Sequence, residues 1–318
     1  MIFPVSEVEI FPLWPPLVAL AVSFFSSMGG VSGAFLLLPF QVSILGFTSP
    51  AVSSTNLVFN IVAIPSGVWR YLREGRMSWP LTWIIVTGTL PGVFVGFFIR
   101  IRFLPDPRVF KLFVGLVLLY IGARLVLDVL RPGRGPRAVA KIREEAVLSR
   151  RKAAGPTGRA GEGDQKLRVS TLEYSWQRVT YEFSGQVFSF NVPGLFLLAL
   201  AVGIIGGAYG IGGGAIIAPF IVTFFKLPIH TVAGAALSGT FLTSVAGVAF
   251  YGLLGPTLAP GLKVGPDWLL GCLFGLGGLA GMYLGARCQK RVPERVIKAV
   301  LALALLMVAL RYVIRFFL

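Results

Sequence analysis

Two apolar stretches, 13–46 and 193–226, are each interrupted at their centre by glycine, and this repeated interruption constrains the fold more than any other feature. The second runs Gly203-Ile-Ile-Gly-Gly-Ala-Tyr-Gly-Ile-Gly-Gly-Gly-Ala-Ile-Ile-Ala-Pro-Phe220, and the first carries Met28-Gly29-Gly30-Val31-Ser32-Gly33 leading to Leu38-Pro39-Phe40. Each stretch has 34 residues. A helix that spans a bilayer needs roughly 20, so each is too long for one straight span and short for two. A helix broken inside hydrocarbon frees backbone N–H and C=O groups, which are tolerated only where the break is buried in protein or lines a cavity. Matching breaks in two halves of a chain point to a transporter's binding site.

The composition supports a bilayer as the solvent. Hydrophobic residues make up 55% of the chain, charged residues only 13%, and the mean hydropathy is +0.81. A soluble domain carries about twice that charged fraction. The formal charge of +16 would suit a nucleic-acid partner, but the basic residues fall mainly between apolar runs, as membrane loops do, and no nucleic acid is expected. Glu7 and Glu9 precede Phe11-Pro12-Leu13-Trp14, so a basic leader is missing and the first apolar segment is expected to be retained. Cys272 and Cys288 read as small packing residues rather than a disulfide or metal framework.

Further apolar runs lie at 51–70, 80–100, 109–130, 231–254, 266–287 and 296–318. Residues 30–71 align with 210–251 at an offset of 180 without a gap, and ten positions are identical. They include Gly30/Gly210, Gly33/Gly213, Pro39/Pro219, Phe40/Phe220, Leu57/Leu237 and Tyr71/Tyr251. Arg108-Val109-Phe110-Lys111 likewise resembles Arg295-Val296-Ile297-Lys298. The expected fold is therefore an all-α polytopic membrane protein with about 8 membrane segments, in two homologous halves each opened by a Gly/Pro-broken helix or helical hairpin. The expected domains are a first membrane repeat over 1–130, a polar basic connector over 131–192, and a second membrane repeat over 193–318.

Orientation follows from charge. If each broken stretch returns to its own side, the repeats are inverted and the basic loops 70–79, 131–192 and 287–298 share the cytoplasmic side, with loop 100–111 against the rule. Full crossings would instead make the repeats parallel. The inverted arrangement is preferred, because translocating the dense basic region after Arg131 is unfavourable. Within the connector, 132–163 has the composition of a linker, and the alternation in 179–183 and 186–190 around Ser184-Gly185 predicts a β-hairpin.

Enzyme chemistry is poorly supported. His230 is the sole histidine, so neither a catalytic triad nor a metal-ligand cluster is in view, and no cofactor is expected. The Gly210-x-Gly212 pattern lacks the acidic residue and the flanking βαβ unit of a dinucleotide loop. Carboxylates are nearly absent from the apolar runs, whereas helix N-termini at a break, hydroxyls and amides all favour an anion. Asn56 and Asn60 share one helix face, Thr240 aligns with Asn60, and Ser244 lies one turn further on. The candidate substrate-binding residues are Gly30, Gly33, Asn56, Asn60, Gly210, Gly212, Gly213, Gly214, Thr240 and Ser244. Interhelical hydrogen bonding is the plainer role for these polar residues. Snorkelling to headgroups is the plainer role for Arg124 and Arg311, and close packing the plainer role for the spaced glycines 88/92/96, 271/275 and 277/281/285. A Cβ at Gly213 is expected to crowd the break and to meet a left-handed backbone.

The glycine cluster leading to Pro219-Phe220, followed by the Ala/Ser/Thr-rich run from His230 to Ser244, resembles the TauE/SafE family of sulfite exporters. The resemblance covers both membrane halves but not 131–192, and the first copy departs from it at Val31-Ser32 and Ala34. It implies a secondary transporter in the bacterial inner membrane that moves sulfite, an organosulfonate or a similar sulfur anion by alternating access. A proton or sodium would be the coupling ion, and a homodimer is compatible with it. The alternatives from other classes are a membrane scaffold or sensor acting through the connector, and an anion channel.

Overall fold

The computed structural model describes residues 1–28, 31–130, 169–183, 186–288 and 294–317. Before the connector come α1 (Trp14–Met28), α2 (Ala34–Ser43), α3 (Ala51–Arg73), α4 (Trp79–Arg102) and α5 (Pro107–Leu130). Strands β1 (Val169–Tyr174), β2 (Arg178–Phe183) and β3 (Gln186–Asn191) follow. After them come α6 (Val192–Tyr209), α7 (Ile217–Phe224), α8 (Ile229–Leu253), α9 (Gly255–Leu258), α10 (Trp268–Cys288) and α11 (Glu294–Phe317). Among the described residues, seven helices are long and apolar enough to cross a bilayer, and α1 and α2 are shorter apolar helices. The chain is a multi-pass membrane protein.

Helix starts follow local chemistry. The Asn191 side chain accepts the Gly194 N–H at 2.7 Å, and Pro193 sits in the first turn of α6 where its missing N–H has no intrahelical partner to lose. Asp267 accepts the Leu270 N–H at 3.2 Å ahead of α10. Its other oxygen accepts from the Val5 N–H, the Ser6 N–H and the Ser6 hydroxyl at 3.2, 3.0 and 3.0 Å. This carboxylate is 1% exposed, and its buried charge is met by four donors. It ties the N-terminal segment to the start of α10.

Glycine decides which helices touch. In lipid there is no hydrophobic drive between helices, so small residues that let backbones approach supply the packing. A Cβ built on Gly88, Gly92 or Gly96 of α4 would strike α6 successively at Phe196–Ala199, Leu200–Ile204 and Gly207–Ala208. The two helices therefore run parallel with their backbones in contact. Gly277, Gly281 and Gly285 of α10 meet Pro16, Leu20 and Phe24 of α1 in the same parallel sense. Another side of α10 places Gly271, Gly275 and Gly278 on Val58, Val62 and Phe59 of α3. Gly239 and Gly247 of α8 meet Ile85 and Val93 of α4, again in parallel.

Helices matched by the 180-residue offset run in opposite directions. Gly67 of α3 faces Leu237 of α8, Gly247 faces Leu57, and Gly234 faces Tyr71. The outer pair does likewise, with Gly115 of α5 on Tyr312 of α11 and Gly122 on Leu306. Burial separates centre from periphery: 72% of the spanning window of α3 is buried, against 28% for each of α5 and α11. Trp14 and Trp268 lie exposed at the end where α3 starts, and Trp69 and Trp79 at the end where it finishes, as a belt at each bilayer interface requires.

The connector ends in a three-stranded antiparallel sheet of order β1-β2-β3. Strands β2 and β3 form the expected hairpin, with Val179 opposite Phe190 and Tyr181 opposite Phe188, although its Ser184-Gly185 turn and the 132–163 linker lie outside the described residues. The sequence did not announce β1, because most of its residues are exposed and an unburied strand carries no alternating pattern. Val179, Tyr181, Phe183 and Phe190 are buried. The Val169 N–H donates to the Gly75 carbonyl at 3.0 Å, which sets the sheet against the α3–α4 turn. Thr231 gives its hydroxyl hydrogen to the Pro228 carbonyl, so Tyr181 is the donor in the 2.9 Å Tyr181–Thr231 contact.

Two expectations follow. Ser170 lies by the α3–α4 turn, and the chain near Leu262 pairs with Ala51 at the start of α3, so the two sites sit at opposite ends of that helix. In a background without Cys272 and Cys288, Ser170→Cys and Leu262→Cys should react with an impermeant thiol reagent from opposite sides of the membrane. Labelling of both from one side would contradict the helix directions. The second concerns the sheet. Burial pushes the Tyr181 hydroxyl up to about 12 from its ordinary 10.0. A raised value favours the neutral form, so its docking contribution is full below pH 10 and is lost as pH rises through about 12. Hydrogen exchange of the β2 amides should accelerate across that window in the wild type, and Tyr181→Phe should remove the pH-dependent component.

Candidate functional site: two helix breaks joined by asparagines

Helix α6 ends because Gly210 adopts a left-handed backbone, φ +83°. The Ile211 N–H reaches back to the Gly206 carbonyl at 3.0 Å and the Gly210 N–H to the Gly207 carbonyl at 3.2 Å, the paired bonds of a glycine-terminated helix end. The first break uses the matching bond: the Val31 N–H donates to the Ser26 carbonyl at 3.3 Å, 180 positions earlier. Turns then lead into α2 and α7. Helix α7 begins only at Ile217, because residues 213–216 form turns stabilised by the contacts Ala215 N–H to the Gly212 carbonyl and Ile217 N–H to the Gly214 carbonyl.

The broken backbone leaves carbonyls that need donors, and α3 supplies them. The Asn56 amide donates to the Ala34 carbonyl at 3.1 Å and to the Gly210 carbonyl at 2.9 Å, touching both breaks with one group. The Asn60 amide donates to the Ile211 carbonyl at 2.8 Å and the Ser244 hydroxyl at 3.2 Å, while its oxygen accepts from Ser32 at 2.5 Å. Gln41 of α2 donates to the Asn56 oxygen at 3.3 Å. From α8, the Thr243 hydroxyl accepts the Gly213 N–H at 3.1 Å. All these side chains are fully buried.

The structure thus gathers Asn56, Asn60, Gly210, Gly212, Gly213, Gly214, Thr240 and Ser244 at one point between α3, α8 and the second break. Gly33 belongs to the first break, where an added Cβ would sit 2.7 Å from the Ser23 hydroxyl; Gly30 lies outside the described residues. Thr240 turns its hydroxyl back to the Ala236 carbonyl and offers its methyl to Gly212. Positive φ falls at Gly210 and Gly212 and not at Gly213, whose constraint is steric: its added Cβ would lie 2.6 Å from the Thr89 Cβ. The asparagine amides are engaged with protein backbone, so they fix the shape of the breaks. Ser23 Oγ and Gln41 Oε1, both on the first stretch, are buried without a hydrogen-bond partner among the described residues and retain capacity for a small polar ligand.

Sequence reasoning missed Ser32, Gln41 and Thr89. Ser32 was legible as a hydroxyl inside a break, and Gln41 as the sole amide of α2; Thr89 becomes visible only when α4 meets the break. Arg124 and Arg311 lie towards opposite ends of the α5–α11 pair, and Arg311 is exposed. Among the described residues no group of three or more metal-capable side chains occurs.

Comparison with known proteins agrees with this architecture. The family described as Sulfite exporter TauE/SafE matches residues 16–312. A curated relative, "Probable membrane transporter protein YunE" of Bacillus subtilis (strain 168), is 20% identical over 289 residues, covering 89% of this chain and 90% of the relative. No solved structure matches.

Asn60→Leu tests whether the asparagines hold the breaks. It strands the Ile211 carbonyl and the Ser32 and Ser244 hydroxyls, at about 1–3 kcal/mol for each group left unpaired. The midpoint of thermal unfolding in detergent should fall clearly; an unchanged midpoint would show that the breaks hold without this side chain.

Proposed function

This chain belongs to the Sulfite exporter TauE/SafE family of membrane transporters, and from that premise we propose that it is a secondary transporter of a small sulfur oxyanion or organosulfonate. The observation that carries the reading is the meeting of both helix breaks on Asn56 and Asn60. Such a point holds backbone donors at helix starts, which carry partial positive charge and suit a compact anion. The near absence of carboxylates from the spans disfavours a cation at the same place.

Alternating access would follow if the two halves are inverted copies that rock about the breaks. The antiparallel packing of α3 on α8 and of α5 on α11 supports inversion, since equivalent helices then enter from opposite faces. The broken α1–α2 and α6–α7 stretches fit excursions that return to their own side, since α1, α2 and α7 are short and α6 halts at Gly210. The location proposed is the bacterial inner membrane, with the basic connector cytoplasmic. A proton or sodium would couple transport; sulfite can itself carry a proton near neutral pH, which needs no protein carboxylate.

Purified protein should bind at least one of sulfite, thiosulfate, sulfate, taurine and sulfoacetate, and should move it into proteoliposomes with saturable kinetics. Gly213→Val, which drives a side chain into Thr89 and Val93, should abolish binding while the protein stays monodisperse, and Gly213→Ala should weaken it. Gly252→Ala, whose added methyl meets nothing within 4 Å, should leave affinity unchanged. Full binding by both Gly213 variants would move the site away from the second break.

A further inference from the structure

Each end of the central α3–α8 pair carries a buried arginine beside a buried tyrosine, and the two ends differ in how the charge is met. Where α3 finishes, Arg76 is 7% exposed, lies 5.2 Å from the Tyr71 ring centre and is ion-paired with Glu74. Where α8 finishes, Arg100 of α4 is fully buried beside Tyr251, the repeat mate of Tyr71. Among the described residues no carboxylate pairs with Arg100. Its Nε donates to the Ser53 hydroxyl at 3.2 Å, one Nη donates to the Leu104 carbonyl, and the guanidinium stacks 3.7 Å from the centre of the Phe110 ring.

These contacts leave donors over. Among the described residues Arg100 Nη2 and the Tyr251 hydroxyl are buried without a hydrogen-bond partner, and that hydroxyl lies beside Ser53 and Arg100. An arginine stays protonated, so its charge cannot be shed. Burying a charge without a counter-charge costs several kcal/mol, more than a stacked ring returns. Two unmatched donors and an uncompensated cation converging at one place have the chemistry of an oxyanion site. That place adjoins the second break, because a Cβ on Gly210 would lie 2.6 Å from the Ser53 Cα.

We propose that Arg100 and Tyr251, with Ser53 between them, form a subsite that binds the transported oxyanion at the end of its path opposite the connector. Two oxygens of the anion accept from Arg100 Nη2 and the Tyr251 hydroxyl. At the opposite end Glu74 pairs with both Arg76 and Arg70, so an anion arriving there meets cations that already have a carboxylate. This inference rests on the anion-transport reading, which leaves the location of a protein cation open.

Equilibrium binding of radiolabelled sulfite, and thermal stabilisation by sulfite, thiosulfate, sulfate, phosphate and chloride, test it on the full chain in neutral detergent. Arg100→Gln should weaken the bound anion by about 10- to 100-fold, as loss of a hydrogen bond to a charged group does. Tyr251→Phe, which removes one oxygen, should weaken it by about 3- to 10-fold. Arg100→Lys should fall between wild type and Arg100→Gln, and Arg76→Gln should bind as wild type does. Wild-type affinity in Arg100→Gln and Tyr251→Phe overturns the subsite. If Arg100→Gln does not fold, Arg100→Lys and Tyr251→Phe decide the matter in the same way. An Arg100-dependent response to phosphate alone would uphold the subsite and overturn the sulfur-anion reading, whereas a response to chloride alone would overturn the oxyanion subsite. No response to any anion by the wild type would overturn both.

Discussion

The structure depends on one constraint: inside a bilayer no water is available to complete a broken helix. Every carbonyl released where α6 ends at Gly210 must find a donor within the protein. Asn56 and Asn60 provide those donors, and each also reaches the first break, through Ala34 and Ser32 respectively. Two interruptions far apart in sequence are thereby fixed at one point. The burial of α3, greater than that of any other spanning helix described, follows from its position between them.

The halves are interleaved rather than adjacent. The first helix of each packs along the penultimate helix of the other, α1 on α10 and α6 on α4, through glycine faces that bring backbone against backbone. A division of the chain at the connector therefore separates segments in sequence but not bodies in space. Any rocking of one half must carry the exchanged helix with its host, because a backbone contact made through glycine has no side chain to absorb a shift. The antiparallel α3–α8 and α5–α11 pairs lie where the two halves face one another.

Charge is distributed with the same economy. Asp267 is buried but fully met by donors from the N-terminal segment and α10, so it acts as an anchor. Arg76 is met by Glu74. Arg100 alone among these groups is buried and left with a free donor and no carboxylate, and this inequality, more than any net charge, marks one end of the molecule.

Much of this was legible in the sequence. Apolar runs gave the spans, because hydrocarbon thickness fixes their length. The duplicated glycine breaks showed where backbone groups would need partners inside the protein, because only an internal satisfaction of those groups permits a break in hydrocarbon. The hairpin of β2 and β3 showed itself through alternation. Other features had no local signature. Strand β1 is exposed and carries no pattern. Arg100 reads in sequence as one more loop-end arginine, and only the fold of α4 against Ser53 and Tyr251 buries it. The asparagines announced a polar face, but whether that face met a ligand or a backbone depended on where the breaks of both halves came to rest. Sequence sets which groups must be satisfied; the partners of the asparagines lie up to 184 positions away, and a pairing at that distance is decided only when the helices pack.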